Sequence, residues 1–435
     1  MKQQLIAVVV LTACSQLAAF FKLWFTAGVF GVGSELDGYN LALVAPTFLS
    51  GVLSGVLQVG FFPVRARLHA AGDAAATMAF ERAVFWCCGL IGVLVALAIA
   101  LGSRLLAHYF VPDNQLAVRD TFLFVLPLVA FLIPLNMAGD SAGYMLAMRD
   151  RFGYAAGAPI VNGIIGGLLL FAFPELGMVS MVLGTLIGLL AQFLICIYGL
   201  HLSAFSFFGR LPTRSSFLES GKSMLTLGGW ILPGIFFSNI VASIPPVWAA
   251  SYGEGVVSAF GYAYRLHMSV VQLLIMSSST LILARFSTLV SQNDQAGIKI
   301  LVKQATLMSI VLGVICPLCV LFLGEPVLAL LFSGRFDAAA AHQVTRLWFW
   351  LTIGIGLIIL SNVFGKLWQA QARPKLMSIM SAFSLLGVYG SYFIFRQFLD
   401  ERSVALALLG SPAAVIFVGF WLLNPLKRAK SERTS

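Results

Sequence analysis

The sequence predicts an all-α polytopic membrane protein, with about 12 transmembrane helices in two six-helix lobes around a central cavity. Three observations lead there. The 435 residues are 60% hydrophobic and only 10% charged, with a mean hydropathy of +0.95, whereas about a quarter of the residues of a soluble domain are charged. Apolar runs of roughly 20 residues or more, long enough for a hydrocarbon core about 30 Å thick, recur along the whole chain. The two halves of the chain also resemble each other at an offset of about 220 residues. A membrane barrel would instead show alternating segments of about 10 residues.

The spans follow in order. The first, 4–31, begins after Lys2 and contains Lys22; the second, 38–62, opens beside Asp37 and ends before Arg65 and Arg67. The third, 83–103, lies between Arg82 and Arg104, and the fourth, 121–147, carries Pro127, Pro134 and Asp140. After Arg149 and Arg151 come the fifth, 154–173, and the sixth, 178–203. Arg210, Arg214 and Lys222 precede the seventh, 223–250, which holds Pro233, Pro245 and Pro246. The eighth, 256–284, contains Arg265; the ninth is 304–324, the tenth 346–370, the eleventh 375–395 and the twelfth 404–424. The prolines fit helices bent around a cavity.

With a cytoplasmic N-terminus, 19 of the 27 Lys and Arg residues fall in inner segments and six in outer loops, while Lys22 and Arg265 lie inside spans. That bias predicts both termini in the cytoplasm, in a bacterial inner membrane. It also accounts for the net charge of +10 through loops and anionic headgroups, without nucleic acid. The tail "LKRAKSERTS" ends the pattern. The start, "MKQQLIAVVVLTACS", imitates a lipoprotein signal ending at Cys14, but the apolar run continues through "SQLAAFFKLWFTAGVFG", so an uncleaved first helix is expected.

Soluble-protein chemistry is poorly represented. The six cysteines, Cys14, Cys87, Cys88, Cys196, Cys316 and Cys319, all fall within spans and form no disulfide framework. Cys316-Pro-Leu-Cys319 has metal-ligand spacing but neither a second pair nor a histidine. "SSFLESGKS" carries Ser216 where a phosphate loop needs its first glycine, and it precedes a membrane span. No cofactor is expected, and the loops are too short for an enzyme with catalytic groups on long outer segments.

The internal repeat sets the domain plan. "FFPVRARLHAAGDAAATMAFERA" resembles "LILARFSTLVSQNDQAGIKILVKQA", and "GSRLLAHYF" then meets "GEPVLALLF". An even number of spans separates the copies, so both halves share one orientation. The expected domains are an N-terminal lobe at 1–205, a cytoplasmic linker at 206–222, a C-terminal lobe at 223–424 and a basic tail at 425–435.

Charges inside spans are the candidate functional groups, because each costs about 2.5–3.5 kcal/mol on insertion scales. Arg265 lies about ten residues below the outer end of its span, roughly 15 Å down, and Lys22 about 17 residues from the inner end of the first, roughly 26 Å up, so the two cations come within about a dozen ångströms in depth. Two cations facing a cavity suit an anion, and a diphosphate matches guanidinium plus ammonium. Each charge has a structural reading as well: snorkelling for Lys22, an internal ion pair for Arg265, helix capping for Asp37 and a local hydrogen bond for Asp140.

"VFGVGSELDGYNLALVAPTFLSGVLSGVLQVGFFPV" at 29–64, "MRDRFGYAAGAPIVNGI" at 148–164, "YAYRLHMSVVQLLIMSSSTLILARFS" and "LWQAQARPKL" resemble, in order and spacing, segments of the MurJ/MviN lipid II flippases. The resemblance implies the multidrug/oligosaccharidyl-lipid/polysaccharide exporter fold and passage of a lipid-linked saccharide diphosphate to the outer leaflet. It implies substrate binding by Lys22, Asp37 and Arg265, which match a family arginine, aspartate and arginine, and leaves Asp140 for coupling or gating.

The sequence also departs from that family. Ser50-Gly51 replaces a basic pair, Tyr264 and Met268 stand where acids flank the span-eight arginine, and twelve spans leave no room for two further helices. A divergent flippase for lipid II or a polysaccharide repeat unit is expected, with membrane lipids, a coupling ion and glycan-assembly enzymes as partners. The alternative is a cation-coupled multidrug exporter of the same superfold, which calls for acidic residues in the cavity and finds support in Asp140 alone; a non-transporting relative is a third reading.

Overall fold

A computed structural model describes residues 2–229, 231–371 and 374–423; the basic tail at 425–435 lies outside them, as do the side chains of 2–9, 227, 228, 276–280, 374, 422 and 423. The described chain forms 17 α-helices and one short 3-10 turn, in two compact units.

The first unit runs through residue 229 and takes in two short returns, Gly253–Ser258 and Leu331–Asp337. Helix α1 (Lys2–Phe30) stops at Gly31, whose φ of 59° is a left-handed turn open to glycine. Helix α2 (Ser34–Ala70) has 37 residues, about 55 Å at helical rise. It outruns the hydrocarbon core, so Arg65 and Arg67 sit on helix rather than loop. A hairpin leads to α3 (Ala74–Leu101): Gly72 turns at φ 78°, and Asp73 accepts the Ala76 N–H at 2.8 Å as an N-cap.

The short α4 (Ser103–Phe110) precedes α5 (Leu116–Val129) and α6 (Leu132–Ala147), two pieces of the expected fourth span. The break has a cause: Pro134 offers no N–H, and its ring clashes with the Ala130 carbonyl four residues back. Helices α7 (Phe152–Ala172) and α8 (Met178–Leu202) complete the spans of this unit, and α9 (Arg214–Gly228) lies in the stretch expected as a linker. In lipid, helices associate by close packing rather than hydrophobic burial. Here α7 presents Gly163, where a Cβ would meet the Ala18 backbone at 2.6 Å, and Gly167 against the Phe21 ring.

The second unit starts with α10 (Leu232–Ala250). The expected seventh span, 223–250, is therefore cut: Gly228, Gly229 and Pro233 interrupt the helix, and α10 alone is the crossing segment. Helix α11 (Val256–Ser291) begins in the first unit and continues in the second. Its hairpin to α12 (Gln295–Leu331) repeats the earlier one, with Asn293 at φ 54° and Asp294 accepting the Gly297 N–H at 2.9 Å. Asp73 and Asp294 are thus matching N-caps of the internal repeat.

Helices α13 (Ala338–Thr352) and α14 (Ile355–Ala370) form one span bent by 41°, followed by α15 (Pro374–Phe395), α16 (Arg402–Ala407) and α17 (Gly410–Leu423). A core of Phe286, Val302, Phe364, Trp368 and Val418 ties α11, α12, α14 and α17 together. Among the described residues, ten helical segments are long and apolar enough to cross a membrane, or 11 with the bent pair. The remaining expected span, 256–284, falls in α11 and includes the undescribed side chains 276–280.

Candidate functional site

Lys22 lies eight residues from the end of α1, and its side chain turns into the first unit. Its Nζ donates to Thr185 Oγ1 on α8 at 2.8 Å, and the Tyr39 hydroxyl on α2 shares that oxygen at 2.8 Å. Gly166 of α7 makes the room: a Cβ there would stand 2.8 Å from Lys22 Cδ. Thr185 is itself fixed, donating to the Met181 carbonyl at 2.9 Å. The ammonium is drawn into a helical bundle by neutral oxygens, which is the opposite of snorkelling outward.

Asp37 is fully buried in the first turn of α2. Both of its oxygens are engaged by the start of α11: Oδ2 accepts the Gly255 N–H at 2.5 Å and Oδ1 the Ser258 N–H at 2.6 Å. Ser258 in turn accepts the Gly33 N–H at 3.2 Å. The local sequence permits this, because Gly255 adopts φ 87°, which strains any other residue. The carboxylate supplies what a helix N-terminus lacks, acceptors and negative charge.

Arg265 lies nine residues into α11 and is exposed. Among the described residues no carboxylate forms an ion pair with it. Tyr264, in place of an acid, stacks on Phe260 at 5.7 Å between centroids, and His267 is buried. Asp140 borders a cavity of about 270 Å³ within the first unit, together with Asn136, Tyr144 and Gln192.

Sequence reasoning missed a fifth group. Glu81 of α3 is fully buried and accepts Arg65 Nε at 3.0 Å and Arg149 Nη1 at 3.2 Å, with a second contact from Arg149 Nη2. Arg149 also lies 5.4 Å from the Phe205 ring centroid. The clasp joins the C-terminal end of α2, the start of α3 and the turn that follows α6. Arg82 anchors the following stretch through the Ser206 and Arg210 carbonyls at 2.6 and 3.1 Å. Three arginines counted only as topology signals, Arg65, Arg82 and Arg149, are therefore structural, and the readable hint was an acid inside a basic segment.

The family model described as "Lipid II flippase MurJ" matches residues 26–435. The chain belongs to the MurJ lipid II flippase family. A "Probable lipid II flippase MurJ" from Treponema pallidum (strain Nichols) is 21% identical over 375 residues, covering 83% of this chain and 70% of that one. A solved "Lipid II flippase MurJ, inward closed conformation" matches with a TM-score of 0.80 at 19% identity, over 96% of this chain and 87% of the other. An inward-facing multidrug resistance MATE family transporter of the MOP superfamily matches with a TM-score of 0.77 at 15% identity, over 99% of this chain and 100% of the other.

Membership of the MurJ family makes the chain a multi-pass membrane protein of a transporter family, as its residues predict. The fold it shares with the MATE transporter is that of the superfamily, so the alternative reading is matched in architecture alone. The MurJ resemblance was legible in the F-G-x-G turn, where Gly31 ends α1, and in the Asp37 that follows it.

Proposed function

We propose that the protein moves a polyprenyl-diphosphate-linked saccharide, lipid II or a polysaccharide repeat unit, from the inner to the outer leaflet by alternating access. MurJ family membership is the observation that carries this reading. It is supported by two cations at like depth in their own helices: Lys22 lies about 12 Å from the end of α1 and Arg265 about 14 Å from the start of α11 at helical rise. Arg265, exposed and without an acidic partner among the described residues, is suited to one phosphate; Lys22, steered by Thr185 and Tyr39, is suited to the other. Asp37 contributes by fixing the start of the helix that carries Arg265. The substrate crosses without a covalent step.

The finer assignments follow from the same reading. Both termini face the cytoplasm, the two lobes comprise roughly the two halves of the chain, and glycan-assembly enzymes supply the substrate on the inner side. Asp140 takes the coupling cation, since a carboxyl bordering a cavity within a lobe is the group that exchanges one.

Reconstituted vesicles test the proposal. Labelled lipid-linked saccharide should cross without ATP, and Arg265→Ala or Lys22→Met should slow it roughly tenfold to a hundredfold, the loss of a charge-assisted contact. No movement of any of several head groups, or movement indifferent to both substitutions, would overturn it. A drug exporter would instead keep its transport in Arg265→Ala.

A further inference from the structure

Two cavities occupy the same register of the internal repeat. The one beside Asp140, of about 270 Å³, is lined by α6, α7 and α8. In the second unit a cavity of about 390 Å³ lies among α10, α11, α14, α15 and α17. Eight of the 12 positions lining the first reappear in the second when shifted by 222 residues, among them Asp140 with Asn362, Tyr144 with Lys366, Ala155 with Met377 and Phe193 with Val415. The match extends over three helices in each half, and its offset is within one residue of that between the Asp73 and Asp294 caps. One helix alone could align by chance; three helices and a shared hairpin reflect the repeat itself.

The chemistry at this shared position is inverted. The first cavity holds a carboxyl. The second holds the Lys366 ammonium with the Asn362 amide and the hydroxyls of Ser238, Ser361 and Ser381, and among the described residues no carboxylate lines it. Lys366 Nζ donates to Gln369 Oε1 at 3.3 Å, a neutral acceptor that uses one of its three protons. An ammonium at a membrane helix calls for a compensating acceptor, and the amide N–H groups of Asn362 beside it complement a negative charge; the Ser361 and Ser381 hydroxyls donate to the Ile358 and Met377 carbonyls.

We propose that the second cavity is an anion site, taking a small inorganic anion such as chloride or phosphate on Lys366, with the Asn362 amide donating to it. The site is distinct from Lys22 and Arg265 and does not depend on what the protein carries. It gives the two halves of one repeat opposite ionic preferences.

The full-length protein in detergent tests this by thermal unfolding in sodium chloride, sodium phosphate or sodium gluconate at matched ionic strength. Chloride or phosphate should raise the midpoint saturably over gluconate. Lys366→Met should raise the half-saturating concentration roughly tenfold or more, the loss of a charge-assisted contact, while Lys299→Gln, another inner-side lysine, should leave it unchanged. If Lys366→Met does not fold, Lys366→Arg should keep the effect and Asn362→Leu should weaken it. Crystals soaked in bromide should show an anomalous peak within hydrogen-bond distance of Lys366. Absence of anion-specific stabilisation in the native protein, or a response in Lys366→Met equal to the native one, would overturn the proposal.

Discussion

Asp37→Asn separates a capping carboxylate from a substrate ligand. The native side chain accepts two backbone N–H groups, from Gly255 at 2.5 Å and Ser258 at 2.6 Å, from a fully buried position. An amide keeps one acceptor oxygen, loses the other and loses the charge. The lost charge-assisted bond is worth about 1.5–3 kcal/mol, and the lost interaction with the helix terminus about 0.3–1 kcal/mol, up to about 2 kcal/mol when buried. The substitution should therefore cost on the order of 3 kcal/mol, concentrated at the start of α11. Thermal unfolding in detergent should show a lower midpoint, and hydrogen exchange should accelerate at the Gly255 and Ser258 amides. Transport should fall in parallel, because Arg265 lies only seven residues beyond Ser258 on the same helix. A variant with native stability and native exchange but abolished transport would refute this reasoning and make Asp37 a direct ligand.

Three further outcomes follow from the geometry. Glu81→Gln removes the one carboxylate that, among the described residues, pairs with Arg65 and Arg149 in the clasp, whose side chains are 10% and 16% exposed; a loss of about 3–5 kcal/mol is expected, and an unchanged unfolding midpoint would contradict it. Gly163→Ala forces a methyl to within 2.6 Å of the Ala18 backbone, so α1 and α7 should separate at a cost of about 1–3 kcal/mol, read as a lower midpoint; a neutral result would mean the helices do not pack this closely. Asp140→Asn should leave downhill movement of substrate intact but flatten its response to an imposed proton or sodium gradient by roughly tenfold or more, and an undiminished response would remove Asp140 from coupling.

Hydropathy reported the fold well because lipid selects for apolar length, and every described crossing helix overlaps an expected span. It reported helix ends poorly, since nothing in an apolar window says where helix stops once the chain is in water. Helices α2 and α12 each run to 37 residues, carrying basic residues that orientation counting places in loops. The opposite error arises inside the membrane, where an apolar run hides a break. Pro134 divides α5 from α6, and Pro233 with two glycines divides α9 from α10, although the runs through both sites are continuous in sequence. The proline signal was present, but hydropathy alone assigns it no structural weight.

The site was legible in its charges and illegible in their company. Lys22, Arg265, Asp37 and Asp140 stand out because ions are rare in spans, whereas Thr185, Tyr39 and Gly166 are ordinary residues of membrane helices until a lysine is seen to thread between them. Asp37 needed even more distant information, since its two partners lie 218 and 221 residues away. Lys366 shows the limit from the other side. It was counted with the inner-side cations, where a lysine is unremarkable, and it acquires meaning only because Tyr144 occupies its register beside a carboxyl in the other half. A repeat preserves where a cavity forms, because glycines and helix packing fix the backbone. The sign of the guest is set by one or two side chains, and these are free to diverge once each half has its own cavity.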